Sequence, residues 1–226
     1  SKSLGNSPDP LKLIDEYGAD GVRVGMLLTS PAGNDLPFDE QLCEQGRNFA
    51  NKIWNALRLV KGWELEDKSQ PNASSMAIKW INQKIDDVIE NLDSQFAEYR
   101  LSEALMSLYK LIWDDFCSWY LEIIKPAYKD TIDSVTYYAT ISIFERLMQL
   151  LHPFMPFLTE EVWHILKDGE ETECIALSKM PEPICKNKDL LEKFDFAAEI
   201  VTSVRTIRTE KNIPNKEGLT LYIKEN

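Results

Sequence analysis

Asn51, Asn55 and Arg58 stand at i, i+4 and i+7, a spacing that puts two amides and a guanidinium on one face of a helix. Groups of that kind hydrogen-bond base edges and phosphate oxygens. Lys52 lies beside them, and Leu59, next to Arg58, adds an apolar contact. Phe49, Ile53, Ala56, Leu57 and Val60 fall on the other side and can pack into a core. On residue types alone, a merely solvated face is the commoner fate of such a stripe. A second set follows at Leu121, Glu122 and Lys125: an apolar surface for a base, a carboxylate to accept from a base amino group, and an ammonium for a phosphate. Trp113, Phe116 and Tyr120 have core spacing. Asp114 and Asp115 are adjacent, so they do not face each other as a hydrolytic carboxylate pair would. His152, just before Pro153, is expected to bond loose carbonyls at a helix C-terminus.

These residues need helices to hold them, and the sequence supplies helical signals along most of its length. Asp9-Pro10 opens a short helix that Gly18 closes, and Asp20 starts a second one through Leu28. Ser30 to Pro37 is turn chemistry. Asp39 caps a long helix to about Lys61, with Gly62 as its stop. A polar connector, 64–72, precedes helical periodicity from about Ser74 to Leu92. Leu101, Leu105, Leu108, Ile112 and Phe116 mark one helix from about Ser102 to Lys125, ended by Pro126. Further helices are predicted at about Val135 to Leu151, Leu158 to Leu166 and Leu190 to Arg208. Cys174 to Leu177 and the alternating Leu219 to Lys224 predict short strands. The expected architecture is mainly α: an antiparallel helix bundle at 39–167, a lead-in at 1–38, and a small truncated α/β piece at 168–226.

Composition limits the alternatives. No window is apolar enough to span a bilayer. Cys43, Cys117, Cys174 and Cys185 are widely spaced and predict reduced thiols in a cytoplasmic protein. His152 and His164 have no metal-ligand spacing to them, so no zinc site is expected. A net charge of −12 argues against a general nucleic-acid binder, because phosphate neutralisation needs Lys and Arg. The distribution is uneven, however. Between Gln45 and Trp63 there is no acid, against Arg47, Lys52, Arg58 and Lys61; between Val201 and Lys216 four cations face Glu210 alone.

Five stretches, in order, resemble class I aminoacyl-tRNA synthetases. Ser1-Lys2-Ser3 resembles the end of the Lys-Met-Ser-Lys-Ser signature loop. Tyr17 to Arg23 (Tyr-Gly-Ala-Asp-Gly-Val-Arg) resembles the element that follows that loop. Arg47 to Ala56 resembles the first bundle helix. Trp113 to Glu122 with Lys125-Pro126, and Leu151 to Trp163 with its Pro-x-x-Pro turn, resemble two later bundle elements. Within the branched-chain subgroup the likeness is nearest to the valine–tRNA ligases, through Ser30-Pro-Ala-Gly-Asn-Asp35, Phe38-Asp39 and Asn51-Lys52-x-x-Asn55.

That resemblance implies a piece of a larger enzyme that joins valine to its tRNA using ATP and magnesium. Lys2 would be the remaining catalytic residue, touching an ATP phosphate. The piece itself would be inactive, need no cofactor, and be monomeric. Its partners would be the anticodon stem-loop of valine tRNA and the catalytic domain of the same chain. The tRNA contacts would be Asn51, Lys52, Asn55, Arg58, Leu59, Leu121, Glu122 and Lys125. Alternatives are the same domain of another branched-chain synthetase, or a helical protein-interaction module without RNA binding. The opening residues, cut off from ATP and the catalytic domain, are expected to be mobile.

Overall fold

A computed structural model describes residues 8–29, 38–167, 174–184, 188–214 and 216–222. Lys2, the opening residues expected to be mobile, the turn at 30–37, Cys185 and the last residues of the final predicted strand lie outside them. The chain divides into two compact units at residues 186 and 187.

Caps start the helices of the first unit. The Asp9 carboxylate accepts from Leu11 N at the head of α1 (Pro10–Tyr17), and Gly18, at φ 75°, turns the chain into α2 (Ala19–Leu28). Asp39 does the same for α3 (Glu40–Lys61), accepting from Gln41 N at 2.9 Å. Next comes α4 (Asn72–Ala97), longer at both ends than the periodicity predicts. The helix predicted across 102–125 is three pieces: α5 (Leu101–Lys110), a π-helix at Leu111–Tyr120, and α6 (Leu121–Ile124). Asp133 caps α7 (Ser134–Leu151), and Pro156 stands at the head of α8 (Pro156–Leu166). These helices close over Phe49, Trp80, Phe116, Tyr120 and Phe144, all fully buried. The mainly α bundle expected from the sequence is therefore present.

The strand predictions do not hold. Ile175–Leu177 is a turn of 3₁₀ helix: Leu177 N and Ser178 N bond Cys174 O and Ile175 O, while Ile175 N bonds the Glu160 carboxylate. With its donors satisfied locally, the segment has no ladder to join. Leu219–Tyr222 is irregular; alternation without a neighbouring strand does not make one. Among the described residues, strand pairing is confined to β1 (Leu65–Glu66) and β2 (Ile132–Asp133), which run parallel inside what the sequence marks as connectors.

Two clusters fix the bundle's outer elements. The α2–α3 crossing is close because it is made of glycines: a Cβ on Gly25 would lie 2.6 Å from Cys43 Sγ, and one on Gly46 would lie 2.6 Å from Gly21 O. On the other flank, Arg146 pairs with Asp86 at 2.7 Å, both largely buried. Arg146 also donates to Asn82 Oδ1 and Glu182 O, and Asp86 accepts from Ile184 N, which fastens the segment after α8 onto α4 and α7. In the second unit, α9 (Lys188–Glu210) is followed by a strap that Arg208 holds by donating to Pro214 O and Glu217 O, both at 2.7 Å.

Candidate nucleic-acid interface

The α3 stripe divides as its spacing predicts. Phe49, Ile53, Ala56, Leu57 and Val60 are buried, whereas Asn51, Asn55 and Arg58 are exposed. Among the described residues, neither amide has a side-chain hydrogen bond and Arg58 has no ion pair. Arg58 and Lys61 stand in the last turn of α3, where exposed carbonyls favour positive charge.

Opposite α3 runs the π-helix and its continuation α6. A π turn takes up more residues than an α turn, which re-aims every side chain beyond it. The inward pairs are Leu111 with Ile112, Phe116 with Cys117, and Tyr120 with Leu121. Ser118 donates from Oγ to Trp113 O at 2.9 Å, satisfying a carbonyl within this altered ladder. The buried Tyr120 hydroxyl shares a 2.8 Å hydrogen bond with Thr140 Oγ1, locking the π segment to α7.

Between the two lies a shallow hollow of about 160 Å³ lined by Lys52, Asn55, Ala56, Leu59, Cys117, Leu121 and Glu122. Five of the eight predicted contact residues thus share one groove. Asn51 and Arg58 flank it on the α3 face. Lys125 reaches it through Glu122, their charged ends 2.6 Å apart. Both members of that pair are about half exposed, so the ion pair contributes little and exchanges easily for another partner. The floor is apolar, from Ala56, Leu121 and Cys117; burial pushes the Cys117 thiol up to about 12, leaving it uncharged and inert.

Some assignments change. Trp113 is half-buried, not core: it stacks on Tyr109 with ring centroids 5.5 Å apart, and the Lys52 ammonium sits 5.3 Å from its ring. Lys52 is therefore perched on an indole at the groove's edge. The Phe49–Tyr109–Trp113 cluster behind it was not legible from spacing, because the π turn sets which aromatic faces α3. His152 is the C-cap of α7, as expected, and its backbone N–H bonds Met148 O at 2.9 Å; the ring, among the described residues, turns to a hydroxyl and not to a carbonyl. Its Nδ1 lies 2.7 Å from Thr159 Oγ1. Among the described residues no group of three or more His, Cys, Asp or Glu side chains gathers as a metal centre would, and no helix is long and apolar enough to cross a membrane.

The motif stretches also explain one another. Asp20, from the 17–23 stretch, accepts from Leu158 N at 2.7 Å and Phe157 N at 3.4 Å, so it caps α8 from another helix. Arg23 donates to Phe154 O and Pro153 O at 3.2 and 3.0 Å. One acid and one base thus clamp the Pro-x-x-Pro turn.

A family model described as "Anticodon-binding domain of tRNA ligase" matches residues 78–223. The chain is 57% identical over 224 residues to the valine–tRNA ligase of Parabacteroides distasonis. It is 40% identical over 238 residues to that of Bacillus licheniformis. In each case 99% of this chain is covered and 26% of the relative, so the chain spans about a quarter of their length. Among solved structures, a LeuRS–tRNA–LeuAMS ternary complex from Agrobacterium radiobacter K84 shares the fold at TM-score 0.57 and 20% identity, over 84% of this chain and 22% of that one.

Proposed function

Because the chain belongs to the anticodon-binding domain family of tRNA ligases, we propose that it is the anticodon-reading part of a valine–tRNA ligase, with the α3–α6 groove as its contact surface. One observation carries this reading. Two amides and a guanidinium with no protein partner among the described residues project beside an apolar-floored groove that also presents Glu122 and Lys125. Asn51, Asn55 and Glu122 take base edges, Leu59 and Leu121 support a base apolarly, and Lys52, Arg58 and Lys125 take phosphates.

In this reading residues 39–167 carry the anticodon loop, 1–38 lead in from the catalytic part, and 168–226 lead onward. The whole enzyme activates valine with ATP and magnesium and transfers it to tRNA in the cytoplasm, as a monomer. Lys2, assigned to the ATP phosphate, lies outside the described residues, and this chain alone gives no valine-dependent pyrophosphate exchange.

The anticodons of valine tRNAs share a middle adenine, and that base is the sharpest probe. The chain is titrated at low salt with valine-tRNA anticodon hairpins carrying adenine or another base at that place. Tighter binding of the native hairpin is expected. Asn55→Ala or Glu122→Ala should narrow the difference by about 1–3 kcal/mol, the cost of an unmade hydrogen bond to a buried or charged group. Equal binding of both hairpins by the unmutated chain rejects the reading and favours a helical scaffold that contacts protein.

A further inference from the structure

The groove has a direction and an end. At one end Phe49 packs on Tyr109 and Lys52 lies over Trp113; the hollow lies between Lys52–Leu59 and Cys117–Glu122; and beyond both helices Ile132 N donates to Glu64 O. Residue numbers rise together on both walls, so α3 runs parallel to the π-helix and α6. Both helices stop at the same end, α3 at Lys61 and α6 at Ile124. There the chains leaving them pair, through Ile132 N to Glu64 O and the β1–β2 register. The loop 125–131 is thereby fixed at the groove's exit.

That loop is held, not loose. Asp130 N bonds Ala127 O, and the Asp130 side chain accepts from Thr131 N. Lys68 reaches across from beyond β1 to Thr131 O at 2.8 Å and pairs with Asp130 and Glu66 at 3.5 and 3.4 Å. Lys129 takes φ 68°, a left-handed conformation that costs a lysine free energy and persists only where its surroundings enforce it. What this turn presents is Tyr128, 92% exposed. The Lys129 ammonium stands 5.4 Å from the Tyr128 ring, covering one side of it. Single exposed aromatics are ordinary. One set on a pinned, strained turn beside two lysines, at the open end of a groove for unpaired bases, is placed to take a base.

We propose that Tyr128 is a base-stacking residue, receiving the unpaired nucleotide that leaves the groove past Leu59 and Glu122, with Lys125 and Lys129 next to its phosphate. The proposal rests on the nucleic-acid reading of the groove and extends it by one nucleotide. Base–aromatic stacking tolerates any base, because every base has a π face. Tyr128 therefore adds affinity without adding selectivity, unlike Asn55.

The opposite end of the bundle supplies a control. Tyr99 is also exposed, 81%, and also left-handed, at φ 59°. It stands before α5, at the far end of the helical run that finishes at Ile124, beside Glu98 and Glu103, both paired with Arg100. It should be silent.

The test uses the full chain and an anticodon hairpin with a fluorescent purine analogue at each unpaired loop position in turn. Tyr128→Ala is expected to weaken binding about tenfold for native and altered anticodons alike, and to lose fluorescence quenching at one loop position. Tyr128→Phe should keep both; Tyr99→Ala should change neither. Unchanged affinity and quenching in Tyr128→Ala, while Asn55→Ala still narrows anticodon selectivity, overturns the stacking role and leaves the groove reading standing. A weakened Tyr128→Phe overturns it too, since the hydroxyl and not the ring would then matter. No hairpin binding by the unmutated chain removes both readings.

Discussion

The two polar clusters of the first unit have opposite economies. At the clamp, Asp20 and Arg23 spend their hydrogen-bonding capacity on the backbone of Pro153, Phe154, Phe157 and Leu158. Asp20 is only 7% exposed, and burial raises its carboxyl above the usual range even though two amides favour the charge. At the groove, Asn51, Asn55 and Arg58 stand in water with their capacity unspent among the described residues. Both clusters belong to stretches that resemble the same family, so resemblance alone does not distinguish them. Partner accounting does: a satisfied polar group holds the fold, and an unsatisfied exposed one is available to a ligand.

The comparison breaks most visibly at the best-buried pair. Asp86→Ala strands the Arg146 guanidinium, whose side chain is 10% exposed, and frees Ile184 N. A loss of about 3–5 kcal/mol in unfolding free energy is expected, with the anticodon preference of the folded fraction intact. Asp86→Leu combined with Arg146→Met should recover much of that loss, because removing both charges removes the stranded one. Denaturant titration and hairpin binding measure the two properties separately. A shift in anticodon preference without lost stability would show that the committed and uncommitted groups are not separable.

Next in size is Gly25→Ala. Its new Cβ would meet not only Cys43 Sγ but Cys43 N at 2.7 Å, and a backbone atom cannot swing aside as a side chain would. The α2–α3 crossing must open, at a cost of about 1–3 kcal/mol. Unfolding midpoints should fall while the preference for the native anticodon hairpin stays as it was. An unchanged midpoint would mean that this crossing is looser than its contacts.

A smaller effect is expected at the groove's edge. Trp113→Leu keeps an apolar group on the Tyr109 stack but removes the ring under Lys52. Losing that perch, worth about 0.5–1 kcal/mol at an exposed site, should weaken all hairpins alike, as is expected of Lys52→Ala, which removes a phosphate contact and no base contact. If Trp113→Leu instead narrows the gap between cognate and altered anticodons, the indole reads a base and does not merely hold an ammonium.

Helix starts and stops were legible where local chemistry decides them: Asp9, Asp39 and Gly62 do in space what they promise in sequence. The α3 face was legible for the same reason, since i, i+4, i+7 needs only a helix. What lay beyond reach depended on distant partners. Leu101 to Phe116 keeps α spacing, and nothing local announces the π turns that begin at Leu111; they are held by Tyr120 reaching Thr140 and by aromatic packing on Phe144. Alternation at Leu219–Tyr222 looked like a strand because the pattern is local while the ladder is not. The groove's far wall inherited the same blindness: Leu121 and Glu122 were identified, but Cys117 beside them and the Trp113 perch were not.

The smallest expected effect is a slope with pH, set by His152 beside the clamped turn. Thr159 spends its one hydroxyl proton on Met155 O at 2.8 Å, so in the 2.7 Å contact with His152 the ring Nδ1–H is the donor. Burial holds the His152 pKa below its ordinary value, outweighing the nearby Glu160 and Asp20 carboxylates. The unfolded chain takes up its proton near pH 6.5, roughly the free imidazole value; the folded chain takes it up only at lower pH. Between those two points the unfolded state binds more protons, so stability rises with pH across the window and is lost as pH falls through it. Asp20 runs the other way. Its raised pKa lets the folded state protonate first, so its contribution improves as pH falls toward the usual carboxylate range. His152→Gln keeps a side-chain N–H for Thr159 Oγ1 and removes the titration. Urea midpoints of the unmutated chain should therefore drop on going from about pH 7 to just below pH 6, and those of His152→Gln should drop less. Equal slopes in the two proteins would place the pH dependence elsewhere and leave the clamp electrostatically silent.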